Sequence, residues 1–424
     1  MISPTDFAAS FKERYPTPDS VANETRKNQP YFELVNKDET QGGQDLKIPI
    51  IIGTNSRRSA TFSVAQGASD NAASSYQAFK MTLAQDYCVA SWSSKLLKVA
   101  ESEANAVIGL IEGEMSRSVR AMERSYGVKL WRTGTGSVCQ FASTVAGSDS
   151  TVALSPKGSA QHFELGDGVQ ISATDGSVLL GSGKPTAYVI AVDRTGDKIT
   201  LSATAGGVAA TINTISGSTW AANHFVYKAG DAADAGANIV IEGVLSFIPA
   251  STSGLGTAFY GVTRSADAVR LAGDRIDNTT LTLPIDEILV YAAAQAEING
   301  AEINAVFMHP YQTRDLVNRM SAKIVRSDQK KGKIGFSNIA LLTDSGKEVP
   351  IYSDLNCDYR YGLVTQMDSW KLISAGPPIH VDNFDGNAFP RTSSAAGHEL
   401  RLQGFAQHTN RALGRMNGAV LPAT

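Results

Sequence analysis

The chain holds only three cysteines in 424 residues, Cys88, Cys139 and Cys357. An odd, scattered set of this size excludes a disulfide frame and a metal knuckle, and fits reduced thiols in a cytosolic product. An excess of either charge is also missing. The formal net charge is −3, and 19% of residues are charged, so there is no basic field for tight, sequence-independent nucleic-acid binding. No apolar run reaches the roughly 20 residues that span a bilayer. The first residues, MISPTDFAASFKERYP, lack the basic-then-apolar layout of a secretory signal.

Catalytic signatures are equally sparse. There is no HExxH and no GxSxG. Gly183-Lys184 matches the end of a phosphate loop, but Val178 stands where the loop needs glycine and Pro185 replaces the hydroxyl residue. Gly134 and Gly136 lack the third glycine and the preceding strand of a dinucleotide fingerprint. The histidines His162, His224, His309, His380, His398 and His408 are scattered, with no partner at metal-ligand spacing. His309, before Pro310, fits a helix cap or a buried polar residue better than a ligand. Asp286-Glu287 at a helix start complements the macrodipole without any catalytic role. No catalytic residue, metal ligand or cofactor emerges, and a carbohydrate-acting enzyme would lack its acid pair.

What is present is one long helical stripe. Leu96, Ala100, Ala104, Val107, Ile111, Met115, Val119, Met122 and Tyr126 follow at steps of three or four, which stacks them on one helix face. A helix from Ser94 to Tyr126, capped by Ser93 or Ser94 and ended by Gly127, would be roughly 50 Å long. Gly109 and Gly113 lie inside it, off the stripe. Two readings stand: tolerated weak points, or a place where a second backbone crosses closely.

Residues 1–45 form an arm. Ser3-Pro4-Thr5-Asp6 opens a short helix, with Phe7, Phe11 and Tyr15 as an aromatic stripe for a surface outside the arm itself. Residues 45–92 form an extended β-excursion. Leu46 to Ile52 and Ala60 to Ala65 are extended runs, Arg57-Arg58 sit past a turn, and Gln66 to Ser75 is polar and flexible. Tyr76 to Trp92 returns with alternating character. An isolated two-stranded ribbon is marginal in water, so this one is expected to lie on another copy of the chain, through Phe62, Tyr76 and Phe79 together with Arg57 and Arg58.

From Ser137 to Asn238 the chain turns rich in Gly, Ala, Ser and Thr. Short strands at Val169–Ser172, Ala187–Val192, Lys198–Ala203 and His224–Lys228, spaced by turn signals, suggest an inserted small antiparallel barrel or sandwich. Beyond it, Pro284 opens a helix through Ile298, and Ala305–Met308 is a buried strand followed by a second helix. Ile339–Thr343 with Glu348–Tyr352, and Tyr361–Gln366 with Trp370–Ile373, are expected as hairpins. His398–Gln407 is expected as a last strand, and the mixture is α+β.

The order of these parts resembles the HK97-type major capsid proteins of tailed bacteriophages. The local stretches agree: Gln85-Asp86-Tyr87-Cys88-Val89-Ala90-Ser91 before the long helix, and Leu130-Trp131-Arg132-Thr133-Gly134 after it. Gly243 to Pro249, Phe259 to Ser265, Arg270-Leu271-Ala272-Gly273 and Val306-Phe307-Met308-His309-Pro310 follow in the same order. The likeness covers about three-quarters of the chain and excludes Ser137–Asn238. It implies an N-terminal arm over 1–45, an E-loop over 45–92, and the spine helix with the start of the peripheral domain over 93–136. An inserted β domain at 137–238 would face outward, 239–385 would be mainly the axial domain, and 386–424 would return to the peripheral domain.

The implied function is a non-enzymatic coat protein assembling as hexamers and pentamers around double-stranded DNA. Its implied partners are portal and scaffolding proteins, and decoration proteins on the insertion. Its implied place is a virion capsid built in the host bacterial cytoplasm. An encapsulin-like nanocompartment shell is the alternative. Lysine–asparagine cross-linking, found in some members of that family, is not carried over: Lys47 and Lys80 lie in the excursion, but neither they nor an asparagine partner match the family's pattern.

Overall fold

The computed structural model describes residues 29–43, 45–53, 58–71, 75–93, 104–217, 220–249, 255–321, 340–342, 346–382, 390–391, 397–410 and 416–421. Phe7, Phe11, Tyr15 and Arg57 lie outside them, as do residues 94–103, where the long helix was expected to begin.

Two sheets and a barrel meet around the C-terminal half of one helix. The first sheet centres on β18 (Gly397–Asn410), a 14-residue strand. On one side β18 pairs antiparallel with β4 (Ala84–Ser93) over ten residues, from Gly397 opposite Ser93 to Ala406 opposite Ala84. On the other it pairs with β16 (Trp370–Ser374) and β17 (His380–Val381). The short β1 (Asn36–Asp38) adds in parallel to β16. Ser93 is therefore a strand residue, not a helix cap, and 84–93 belongs to the body instead of the excursion.

The helix α3 (Ala104–Trp131) is about 42 Å long at 1.5 Å per residue. Met115, Val119, Met122 and Tyr126 are buried as the stripe requires, and Leu130 and Trp131 extend the buried face. Gly127 does not end the helix. A β-carbon there would stand 2.5 Å from Asn356 Nδ2 and 2.6 Å from Gln29 Oε1, so glycine serves close packing at a helical position.

Part of the stretch expected as an arm, residues 29–35, is packed into the body. Tyr31 and Phe32, on α1 (Pro30–Leu34), and Val35 are buried. Tyr31 packs 4.8 Å from Trp131 and 5.2 Å from Phe307, between ring centroids.

The second sheet has six strands in the order β11 (Asp274–Ile276), β19 (Met416–Val420), β15 (Tyr361–Thr365), β12 (Ala305–Met308), β14 (Glu348–Ser353) and β13 (Ala340–Leu342). Its neighbours are antiparallel except β11–β19 and β12–β14. Helix α4 (Ile285–Ile298) lays Ile285, Ile288, Leu289, Ala292 and Ala296 on it, all buried, as their 3.6-residue spacing predicts. Tyr361–Thr365 and Trp370–Ser374 do not form the expected hairpin. A 3-10 turn at Met367–Ser369 carries the chain from the second sheet to the first. The last strand joins the second sheet, so residues 386–424 divide between both.

The barrel closes in the order β10 (Phe225–Lys228), β5 (Ser137–Phe141), β6 (Thr151–Ser155), β9 (Lys198–Ser202), β8 (Ala187–Asp193), β7 (Gly168–Ser172). Val152, Leu154, Val169, Ile171, Val189, Ile199, Leu201 and Val226 fill it, with Phe141 stacked on Trp220 at 5.4 Å. Period-2 alternation over short strands places one side of each strand inward. Val128 of α3 packs into this core, while Leu130 and Trp131 pack into the body core.

Gly243 lies against the end of α3. A β-carbon there would overlap the backbone carbonyls of Lys129 and Arg132 and come within 2.7 Å of the Leu130 carbonyl carbon. Backbone cannot swing aside as a side chain can. Gly243→Ala is expected to cost about 2–3 kcal/mol of stability. Gly256→Ala, where nothing lies within 4 Å, should cost under about 1 kcal/mol. Equilibrium unfolding of both variants checks this; equal midpoints would contradict it.

Candidate functional site

The β2–β3 ribbon joins β2 (Asp45–Gly53) to β3 (Ser75–Thr82) in antiparallel register. Alternation puts Leu46, Ile48, Ile50, Phe79 and Met81 on one face, and all five are buried in the body core. Phe79 is 0% exposed and packs edge-on against Phe259 at 5.5 Å. The Lys80 amide donates to the Tyr260 carbonyl at 3.0 Å. The chain itself thus covers the inner face of the ribbon, where the sequence leads us to expect another copy. Phe79 is spent inside the subunit and is not an interface residue.

The far end of the ribbon differs. Phe62 is 81% exposed, Val64 60% and Tyr76 66%, and Arg58 is exposed. The stretch expected as a second extended run and a flexible tip is instead α2 (Phe62–Asn71), a ten-residue helix. The Ser59 hydroxyl accepts from the Thr61 amide at 3.1 Å just before it, a local serine turn that leads the chain into the helix. Of the expected contact residues, Arg58, Phe62 and Tyr76 share this exposed end. Gly109 and Gly113 lie within α3, in a part whose surroundings fall outside the described residues, so the two readings given above for them stand side by side.

A buried polar knot, unmarked by any sequence motif, sets the direction of ribbon and barrel. Glu242 is fully buried. Its carboxylate accepts from the Gly134 amide at 3.0 Å, from Asn238 Nδ2 at 2.6 Å and from the Tyr260 hydroxyl at 2.5 Å. Its amide donates to Gln407 Oε1 at 2.9 Å, and its carbonyl accepts from His408 Nδ1 at 3.0 Å. His408 Nε2 accepts from the Tyr31 hydroxyl at 3.0 Å, and the ring stacks on Trp370 at 4.6 Å.

Between α3 and the barrel lies a shallow cleft lined by Arg124, Lys129, Arg132 and Lys228 beside Asp231 and His162. Each cation already faces a carboxylate. Lys129 reaches Asp86 at 3.1 Å and Asp231 at 3.3 Å, Arg132 reaches Asp358 at 3.1 Å, Lys228 reaches Asp167 at 3.1 Å, and Arg124 pairs with Glu164. Burial opposes the charge of Lys129, yet Asp86 and Asp231 outweigh it and raise its pKa. The cleft is a neutralised clasp that seats the barrel on the helix.

The two buried thiols are poor nucleophiles. Burial pushes the Cys139 thiol up to about 12 and raises Cys357 well above its usual value, which keeps both protonated and inert. Burial lowers His162 to about 3, with Arg132, Lys228, His309 and Arg124 adding to it. Burial lowers His408 to about 3 and His309 to about 4, in each case against a smaller opposing effect. His309 Nδ1 accepts the Tyr311 amide at 3.3 Å, the capping role expected for it. Among the described residues no group of three or more His, Cys, Asp or Glu could hold a metal ion, and no helix is long and apolar enough to cross a membrane.

No family model and no curated protein matches the chain. Solved structures similar to it include the cyanophage A-1(L) capsid asymmetric unit, at 8% identity and TM-score 0.47, over 93% of both chains. The holo-SrpI encapsulin complex from Synechococcus elongatus is similar at 8% identity and TM-score 0.43, over 93% of this chain and 88% of that one. Gordonia phage Cozz is similar at 8% identity and TM-score 0.42, over 94% and 87%.

His162 and His408 give this chain an acid-sensitive core. Below about pH 6.5 an unfolded imidazole takes up a proton that the folded site refuses, so the unfolded state binds more protons and stability falls with pH. The loss runs from about pH 6.5 down towards the folded values of about 3. Between pH 7 and 5 each of the two is expected to remove about 2 kcal/mol. Denaturant unfolding at the two pH values tests this, and an unchanged free energy would contradict it.

Proposed function

We propose that this chain is the subunit of a self-assembling shell, specifically the major capsid protein of a tailed bacteriophage with an HK97-like fold. The observation that carries the reading is the ribbon. Its inner face is built into the body core, while its far end presents Phe62, Val64 and Tyr76 to solvent with no covering from the described chain. Three large apolar side chains exposed within one short excursion suit an interaction surface. A subunit that leaves them open on a fixed ribbon is suited to closed symmetric assembly, where each copy covers the next.

In this reading α3 is the spine helix. The sheet around β18 is the peripheral domain and the six-stranded sheet is the axial domain. The barrel is an outward insertion available to decoration proteins. Copies assemble as hexamers and pentamers with a portal and a scaffolding protein, in the host bacterial cytoplasm, into a virion capsid. The double-stranded DNA inside is enclosed without sequence-specific binding, consistent with the small net charge of −3. The subunit performs no catalysis.

Electron microscopy of the purified chain tests this, with the contents of any particles analysed. Closed shells that take up DNA when produced with a portal and packaging motor support the phage reading. Shells that instead carry one co-purifying cargo enzyme assign it to a nanocompartment, and a chain that stays monomeric under every condition overturns both. Replacing Phe62, Val64 and Tyr76 together by serine is expected to leave the circular dichroism of the subunit unchanged and to lower shell yield at least about ten-fold, roughly 1.4 kcal/mol or more of association free energy. Unchanged yield would count against the ribbon end as the contact.

A further inference from the structure

The outward face of the ribbon carries a charge arrangement that its own chain leaves unanswered. Lys47 on β2 stands directly opposite Lys80 on β3, and both are exposed. Their strand neighbours Leu46, Ile48, Phe79 and Met81 are buried, which holds the two ammonium groups on the same side of a two-stranded sheet. Directly opposed like charges disfavour pairing. Asp45, opposite Thr82, is the nearest carboxylate on that face, and no ion pair joins it or any other described acid to either lysine.

The imbalance extends along the excursion. Residues 45–82 carry four lysines and arginines against two aspartates, a net of +2. With −3 for the whole chain, the remainder stands at −5. That remainder shows exposed carboxylates without an ion pair, among them Glu33, Glu39, Glu287 and Glu302.

We propose that the Lys47–Lys80 doublet is an electrostatic docking site for the acidic body of a second copy of this chain, acting beside the apolar end of the ribbon. This rests on the shell reading above and specifies the chemistry of its contact. The apolar end would supply affinity and the doublet would supply register and rate of encounter, since charge complementarity chiefly steers and orients association. A different role for exposed strand lysines is to keep ribbons from pairing edge to edge. In that role any charge serves, which separates the two by experiment.

The test uses the full chain, with assembly followed by light scattering and electron microscopy across a salt series and subunit folding checked by circular dichroism. K47E/K80E is expected to raise the concentration for half-assembly at least about ten-fold, and K47R/K80R to assemble as the unaltered chain does. The unaltered chain should assemble more slowly at about 0.5 M salt than at about 0.05 M, because exposed charges are then screened. Normal assembly of K47E/K80E overturns the proposal and leaves the shell reading standing. Should K47E/K80E fail to fold, the salt series decides, and assembly that is unchanged or faster at high salt overturns the proposal. A chain that never assembles overturns both.

Discussion

A buried carboxylate must be satisfied, and in this protein meeting that demand fixes the whole arrangement. Glu242 has no exposure to water. Its partners come from Gly134, where the chain leaves α3 for the barrel, from Asn238, where it returns, and from Tyr260, beneath the ribbon. Tyr260 in turn holds the Lys80 amide on β3. The backbone of Glu242 is bound by Gln407 and His408 of β18. One residue therefore joins the barrel stem, the ribbon root and the central strand of the first sheet. Removing a donor from such a knot leaves a buried oxygen unsatisfied, which costs about 1–3 kcal/mol.

Rigid orientation follows from that knot and from the aromatic packing around it. Tyr31 bridges the two sheets through Trp370 and Phe307, and Trp370 stacks on His408. The ribbon enters this packed region through Leu46, Ile48, Phe79 and Met81, each worth roughly 1.5–3 kcal/mol when buried. A two-stranded sheet anchored so firmly at its base can hold an apolar end away from its own core. Apolar side chains left exposed at a fixed angle are what the proposed self-association requires.

Much of this was written in local pattern, and what was not depended on distant partners. The stripe from Met115 to Tyr126 and the face Ile285–Ala296 repeat for long enough that the 3.6 period is unambiguous. The barrel strands are bounded by glycine turns such as Gly166 and Gly176, both at positive φ. Helix α2 reads from sequence as an extended run and a loose tip because its Val, Ser, Gly, Asp and Asn residues give a weak helical signal. Phe79 was read as an outward anchor because its cover, Phe259, lies 180 positions away in the chain. Tyr361–Thr365 and Trp370–Ser374 were read as partners since they are adjacent in sequence, though each finds a longer-range neighbour. Glu242 sits in an unremarkable Ile-Glu-Gly-Val stretch, and only three-dimensional convergence reveals its place.

The central claim is that the ribbon end is open in the free subunit and covered when copies meet. Hydrogen–deuterium exchange of residues 45–82, compared between free subunits and assembled particles, measures this directly. The account predicts fast exchange across α2 in the subunit and strong protection in the particle, with the buried β2–β3 base protected in both. Protection of α2 already complete in the subunit, or unchanged on assembly, would contradict it.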